Sequence, residues 1–373
     1  MALGGDQSET AAFDLFWAHH RAGHRDQALD VARKAVETLA PTALLESRGR
    51  LPYWFARSLE ERGEIMPAAV AYAAVIERYP LAWYSLLAER RLSALDPAAL
   101  AAAEDTARRP IPTPTLDDLF AEAVKVPALA RAVELLRLDL RRPGREALEA
   151  ATDGQKDAAW LKAYVFAETG DSPGAYHLAR WERWDHTGTF PAGGIEDRWK
   201  IANPRPTAYQ AMVERAAKQH GVDEAYIWAI MQTESGFRPD VVSVAKAVGL
   251  MQLIVPTGRA MAKREGVAHA LVFDDLKEPD LNIRLGVRYL GRLRQRLNAH
   301  PALVAAGYNA GPGRPLNWLA ERPGEELDAF VENIPYRETK RYVKSVMTAY
   351  VRYRYLYEGL GTPTISLTLP LKG

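Results

Sequence analysis

Apolar residues recur at helical spacing along most of the chain, and short glycine- or proline-centred breaks divide them into segments. Phe13, Phe16 and Trp17 share one face of a helix predicted over Phe13–Ala22, and Ala28, Leu29, Ala32 and Val36 share one face of a second over Asp26–Leu39, with Gly23 between them. The same helix–glycine–helix arrangement returns in RLPYWFARSLEERGEIMPAAVAYAAVIERYP about Gly63 and in AAWLKAYVFAETGDSPGAYHLARWERW about Gly170. Hairpins repeated in this way are tetratricopeptide-like, but their period here is irregular, so a degenerate helical superhelix is predicted. Trp54, Tyr72, Trp83, Tyr84 and Trp160 are expected to pack between helices, because a solenoid buries its core between neighbouring repeats.

Two breaks interrupt the series. Arg109–Pro114 (RPIPTP) reads as a loop, since proline removes a donor and disfavours helix before it. Gly188–Pro206 holds Gly193, Gly194, Pro204 and Pro206 and reads as a domain boundary. The expected division is a helical superhelix over 1–200, a second helical domain over 201–360 and an extended tail over 361–373, whose ISLTLPL fits a strand or an arm equally. In the second domain, helices are predicted over Thr207–Gln219, Thr257–Arg264, Pro279–Leu297, Leu303–Ala310 and Pro335–Tyr357, the last stopped by Gly359. Ser243–Val255 leaves room for short strands near Gly249. The fold class is mainly α, with at most a small β element.

The stretch VDEAYIWAIMQTESGF, Val222–Phe237, draws the eye to one carboxyl group. Asp223 is a good N-cap, and Gly236 followed by Pro239 ends the helix. Ile227, Ile230 and Met231 lie seven, four and three residues before Glu234, which places Glu234 on the buried face. A carboxyl group among apolar neighbours tends to keep its proton, as a general acid requires. The competing reading leaves Glu234 at a frayed helix end facing water. Asp240 follows a Gly-Phe-Arg-Pro turn and reads as a turn residue.

Composition narrows the classes. Hydrophobic residues are 48% and charged residues 25% of the 373, as in soluble globular proteins. A net charge of +1 gives no bulk electrostatic ground for nucleic-acid binding. There is no cysteine, hence no disulfide or thiolate metal site, and the eight histidines show no paired ligand spacing. No metal or cofactor is expected. No apolar run is long enough for a transmembrane segment, and MALGGDQSET lacks the features of a signal peptide.

Four segments then fall in register: ESGF (Glu234–Phe237), GLMQL (Gly249–Leu253), AGYNAGPG (Ala306–Gly313) and IPYRETKRYV (Ile334–Val343). Over roughly Pro204 to Gly359 they resemble the catalytic domain of soluble lytic murein transglycosylases, glycoside hydrolase family 23, with its goose-lysozyme-like fold; PDLNIRLGVRYLGRL is similar to the helix before the family's tyrosine motif. More loosely, RLPYWFARSLEERGE and YPLAWYSLLAERRL resemble the superhelical domain of the periplasmic, ring-shaped members. The resemblance implies cleavage of the β-1,4 bond between N-acetylmuramic acid (MurNAc) and N-acetylglucosamine (GlcNAc) in peptidoglycan glycan strands, leaving 1,6-anhydro-MurNAc ends. It makes Glu234 the single acid and then base, whereas ordinary glycosidases need a second carboxylate.

It also implies roles for other residues. Ser235 would lie near a bound acetamido group. Met251 and Gln252 would contact substrate, or else pack a helix end. Tyr308 and Asn309 match the family's tyrosine-asparagine pair: Tyr308 would hydrogen-bond Glu234 or the sugar, and Asn309 would bind substrate or instead hold the Gly311–Pro312–Gly313 loop. Glu338 and Tyr342, one helical turn apart, would line the cleft. Two departures bear on subsite specificity: Lys246 stands where the family has glycine, and Ile254 where it has a substrate-contacting methionine. The alternatives are a lysozyme-type peptidoglycan hydrolase and a non-catalytic glycan-binding scaffold. Protein partners would use the helical repeats. The periplasm or cell envelope is the implied location, for which MALGGDQSET supplies no targeting segment.

Overall fold

The computed structural model describes residues 5–154, 158–181, 188–267, 269–359, 361 and 365–370. Among the described residues there are 21 α-helices and two 3-10 turns, and β-structure is confined to isolated bridges. The mainly α class therefore holds. By compactness the chain forms two units, Met1–Pro110 with Trp184–Ala192, and Ile111–Arg183 with Gly193–Gly373. This division is not the one drawn at residue 200. Leu116, Leu129, Val133, Leu148, Phe166 and Ile201 share one apolar cluster, which joins the hairpins after Pro110 to the helix Glu196–Ala202.

In the first unit, Gly5–Arg21 and Arg25–Thr38 form one hairpin, and Arg50–Glu61 and Ile65–Arg78 form another. Gly23 and Gly63 turn them at φ +76° and +77°, a left-handed conformation that costs glycine nothing. The first helix starts eight residues before Phe13. Apolar spacing misses that start because its anchor is polar: Glu9 is fully buried and ion-paired with Arg50. Trp54, Tyr72, Trp83 and Tyr84 are buried as expected. Trp54 sits 4.8 Å edge-on from Trp17. Buried Arg91 donates to the Tyr53 hydroxyl at 3.1 Å and to Glu60 Oε1 at 3.3 Å, while the Tyr72 hydroxyl donates to Glu60 Oε2 at 2.5 Å. Half-buried Trp160 belongs to the second unit and packs on its apolar cluster.

The second unit begins with five helices between Leu116 and Trp181 and resumes at Gly193, within the Gly188–Pro206 stretch. That stretch is not all loop. Glu196–Ala202 is helical because Arg198, Trp199 and Ile201 bury one face, a signal masked by the surrounding glycines and prolines. There follow Thr207–His220, Glu224–Ser235, Val255–Arg264, Pro279–Arg296, Pro301–Ala310 and Arg337–Glu358. Gly313–Glu321 and Leu327–Glu332 are also helical and were not anticipated, being too short for clear periodicity. Val248 bridges to both Val242 and Leu253, which supplies the small β element near Gly249. In the tail, Thr368 bridges to Glu326, and Ile365 and Leu369 are buried, so Ile365–Pro370 is an arm held by one bridge.

Glu224–Ser235 is the central helix of this unit. Ile227, Trp228, Ile230 and Met231 are all 0% exposed. Each such burial stabilises by about 1.5–3 kcal/mol, enough together to hold a helix that ends on a dehydrated carboxyl group. Gln232 ties the helix sideways, donating to Ala202 O at 2.8 Å. Asp223 caps its start by accepting from Ala225 N at 2.9 Å.

Candidate active site

Glu234 stands one residue before the end of this helix, and Gly236 closes it at φ +57°. The carboxyl is partly buried rather than set at a frayed end. Tyr342, on Arg337–Glu358, donates its hydroxyl to Glu234 Oε1 at 2.6 Å. Burial pushes the Glu234 pKa up to about 8; the Tyr342 hydrogen bond opposes the rise, and the charge of Glu338 adds to it. At neutral pH the group is thus mostly a carboxylic acid with a proton to give. Desolvation and the neighbouring Glu234 charge hold the Tyr342 phenol far above its ordinary range, so it remains a donor.

The GLMQL turn lies against this group. Gly249 has φ +81°, and a Cβ there would come within 2.3 Å of Leu276 O and 2.4 Å of Asn282 Nδ2. Gln252 follows at φ +46°, with its Nε2 donating to Val241 O at 3.0 Å and Gly249 O at 2.9 Å. Met251 is fully buried, and its backbone carbonyl accepts from the Tyr308 hydroxyl at 2.7 Å. Tyr308 therefore bonds the turn rather than Glu234. Its desolvated phenol feels the Glu234 charge, which places it close by.

A second cluster lies at the start of Arg337–Glu358. Asn309 Nδ2 donates to exposed Glu338 at 3.3 Å, and Asn309 Oδ1 accepts from Thr339 Oγ1 at 2.5 Å. Asn309 is thus committed to that helix and not to the glycine–proline loop after it. Four motifs distant in sequence converge on one protonated carboxyl group. Residues 211–331 match the Transglycosylase SLT domain family. This segment is similar to an SLT domain.

The wider comparisons agree. The chain is 28% identical over 309 residues to the soluble lytic murein transglycosylase of Salmonella typhimurium, covering 81% of this chain and 43% of that protein. It is 30% identical over 232 residues to the Escherichia coli K12 protein of the same name, covering 61% of this chain and 34% of that one. The chain thus spans less than half the length of these curated relatives. Among solved structures, lytic transglycosylase Slt from Pseudomonas aeruginosa, an inactive mutant, superposes with TM-score 0.71 at 24% identity, over 96% of this chain and 53% of that one. The 70 kDa soluble lytic transglycosylase of E. coli gives TM-score 0.64 at 22% identity, over 96% of this chain and 57% of that one. At these identities the likeness is one of fold. Glu338 and Tyr342 lie beyond the segment matched to the SLT domain.

Other expected site residues sit as follows. Ser235 is buried, its hydroxyl donating to Leu250 O at 2.8 Å and accepting from Phe237 N at 3.1 Å, so it clamps the helix end to the GLMQL turn. Ile254 is 43% exposed and caps the next helix. Lys246 is exposed at φ +60°, the left-handed conformation that glycine would take without strain. Asp240 is exposed in its turn.

Asn282 escaped the sequence reading. It is fully buried on Pro279–Arg296, accepts from Met251 N at 2.8 Å, and donates to Val248 O at 3.0 Å and Leu276 O at 2.7 Å. Its signal was an asparagine one turn before Leu285 and Gly286, on the apolar side of an amphipathic helix. Tyr176 also escaped it: its ring stands edge-on 5.9 Å from Phe237 and within 3.0 Å of any Cβ added at Gly236. Nothing local in the sequence links residues sixty positions apart. Among the described residues, no group of three His, Asp or Glu side chains could hold a metal ion, and no helix is long and apolar enough to cross a membrane.

Proposed function

We propose that this protein is a peptidoglycan lytic transglycosylase, cleaving the β-1,4 MurNAc–GlcNAc bond to leave 1,6-anhydro-MurNAc ends. The observation that carries the reading is the Glu234 carboxyl, protonated up to about pH 8 and held by Tyr342 at 2.6 Å. As the glycosidic bond breaks, Glu234 gives its proton to the leaving oxygen. The resulting carboxylate takes a proton from the muramyl C6 hydroxyl, whose oxygen closes on C1. No water is consumed, and the carboxyl group ends protonated again. The substrate's acetamido group assists at C1 and removes the need for a second enzyme carboxylate.

In this reading Tyr342 positions Glu234, and Gln252, Met251, Tyr308 and Ser235 shape the wall beside it. Exposed Glu338 and Ile254, with Asn309, are the residues available to glycan. The catalytic domain is 201–360. The helical part before it, where Met66 and Val70 are each 68% exposed one turn apart, is available to protein partners. Relatives named for murein support a cell-envelope site of action, which we assign to the periplasm.

Mass spectrometry of muropeptides released from purified sacculi tests the proposal, with Glu234→Gln in parallel. Products one water lighter than the hydrated muropeptide, absent with the variant, are expected. Hydrated reducing ends would assign a lysozyme-type hydrolase instead. One observation keeps that second reading in play: the charge of Glu338 reaches Glu234. Glu338 is then the carboxylate that would activate water, and its Gln variant would abolish hydrolysis.

A further inference from the structure

A cavity of about 290 Å³ lies at the other end of the central helix from Glu234, where Thr207–His220, Val255–Arg264 and Pro279–Arg296 meet. Its wall includes Gln219, His220, Arg264, Arg288, Arg292 and Gln295. All are donors or cations, and no acid is among the lining residues. The one acid that faces them, Glu265, is spent inward with its side chain 4% exposed. Its Oε1 accepts from Arg288 at 2.6 Å and lies 3.3 Å from His220 Nε2, and its Oε2 accepts from Gln219 at 3.1 Å.

Arg264 and Arg292 form no hydrogen bond or ion pair with any described residue. The His220 side chain is nine-tenths buried, and both its Nε2 and Arg288 Nε lack an aligned hydrogen-bond acceptor. Arg284, Arg288, Arg292 and Arg296 recur every fourth residue, a stack of like charges that weakens a helix unless something offsets it. Gly291 packs against the end of Thr207–His220, where a Cβ would meet His220 O at an ordinary contact distance of 3.4 Å.

We propose that this cavity binds a small phosphorylated ligand carrying two or more negative charges, of the diphosphate class. The volume is that of roughly ten waters, room for two phosphoryl groups and a little solvent. Guanidinium forks match phosphoryl oxygens two at a time, and Arg264 and Arg292 carry the charge that Glu265 leaves unmatched. Arg288 and His220 form the floor, so a bound anion would also favour the charged imidazole, which burial and Arg288 now disfavour.

The test is nuclear magnetic resonance of His220 in the full chain, titrated with inorganic pyrophosphate at constant ionic strength. A saturable rise in the His220 titration midpoint is expected. Arg264→Ala and Arg292→Ala should each weaken binding by about tenfold, and Arg292→Lys by less. Both arginines are exposed, so the variants should fold, and near-native His220 spectra without ligand will verify this. No saturable response would overturn the proposal. So would a response of equal strength in the double alanine variant, or one reproduced by chloride at matched ionic strength. Glycan cleavage through Glu234 is read separately and should not change in either single variant.

Discussion

Tyr342 and Glu234 are joined by a 2.6 Å hydrogen bond between two antiparallel helices, with the phenol as donor. Two turns further along the same helix, Tyr350 donates to Asp223 at 2.8 Å, so both ends of the central helix are fastened to one neighbour. The first bond sets the proton affinity of Glu234 as well as its position. Removing it in Tyr342→Phe takes away a donor that favours the carboxylate, so the Glu234 pKa should rise above about 8. Glycan cleavage should fall roughly 10- to 100-fold, the worth of a hydrogen bond to a charged group. The alkaline limb of kcat/KM against pH should move upward; an unchanged limb would mean that the bond does not act on the acid.

Glu338 acts on the same proton with the opposite sign. Its charge raises the Glu234 pKa, so Glu338→Gln should lower it and bring the alkaline limb to lower pH. The two variants thus displace one limb in opposite directions. For the unaltered protein, kcat/KM should hold up to about pH 8 and fall tenfold for each pH unit beyond it, as the acid form is lost.

The raised pKa also bears on stability. An unfolded Glu234 titrates near 4.5, and the folded one at about 8. Between these values the folded state holds the extra proton, so stability is full below pH 4.5 and is lost as pH rises through 8. Glu234→Gln cannot ionise and escapes that loss. Its melting temperature should exceed that of the parent by more at pH 9 than at pH 5, as scanning calorimetry at the two pH values would show.

Asn282 accounts for much of what the sequence concealed. The proposed catalytic acid was legible because Glu234 breaks an apolar pattern set by Ile227, Ile230 and Met231. The turn beside it was legible as GLMQL, but what holds the turn was not, because Asn282 is 31 residues from Met251. Tyr308 shows a related limit: periodicity marks a phenol as buried but cannot choose between two acceptors, and it bonds Met251 O instead of Glu234. Pattern reading found most long helices to within a few residues. It missed Glu9, whose burial depends on an arginine 41 positions away. It also missed Leu327–Glu332, which is too short to show a period.

Replacing Asn282 by leucine should therefore cost more than a surface change. Met251 N and Leu276 O would lose their partner in a dry site, while Val248 O keeps the bond from Leu253 N at 3.0 Å, and each stranded group costs about 1–3 kcal/mol. A net loss of roughly 3 kcal/mol is expected, measured as a lower denaturant midpoint. Activity should fall even where the variant remains folded, because the wall beside Glu234 loses its anchor. Full activity in a folded Asn282→Leu protein would show that the turn holds without it.

Lys246 offers the converse case. It sits at φ +60°, where a side chain costs about 1–2 kcal/mol relative to glycine. Its backbone N–H donates to Ser243 O at 2.9 Å, and Ala247 N donates to Ser243 Oγ at 3.0 Å, so the surrounding turn imposes the conformation. The side chain is exposed and has no ion pair among the described residues. Lys246→Gly removes the strain and keeps both turn bonds, against a smaller entropic cost because glycine loses more freedom on folding. The unfolding free energy should rise by about 1 kcal/mol, read as a higher denaturant midpoint, with kcat unchanged and any effect confined to KM for long glycan strands. A fall in stability would mean that the lysine makes compensating contacts in solution; a fall in kcat would place it nearer the reacting sugar than its position four residues before Leu250 suggests.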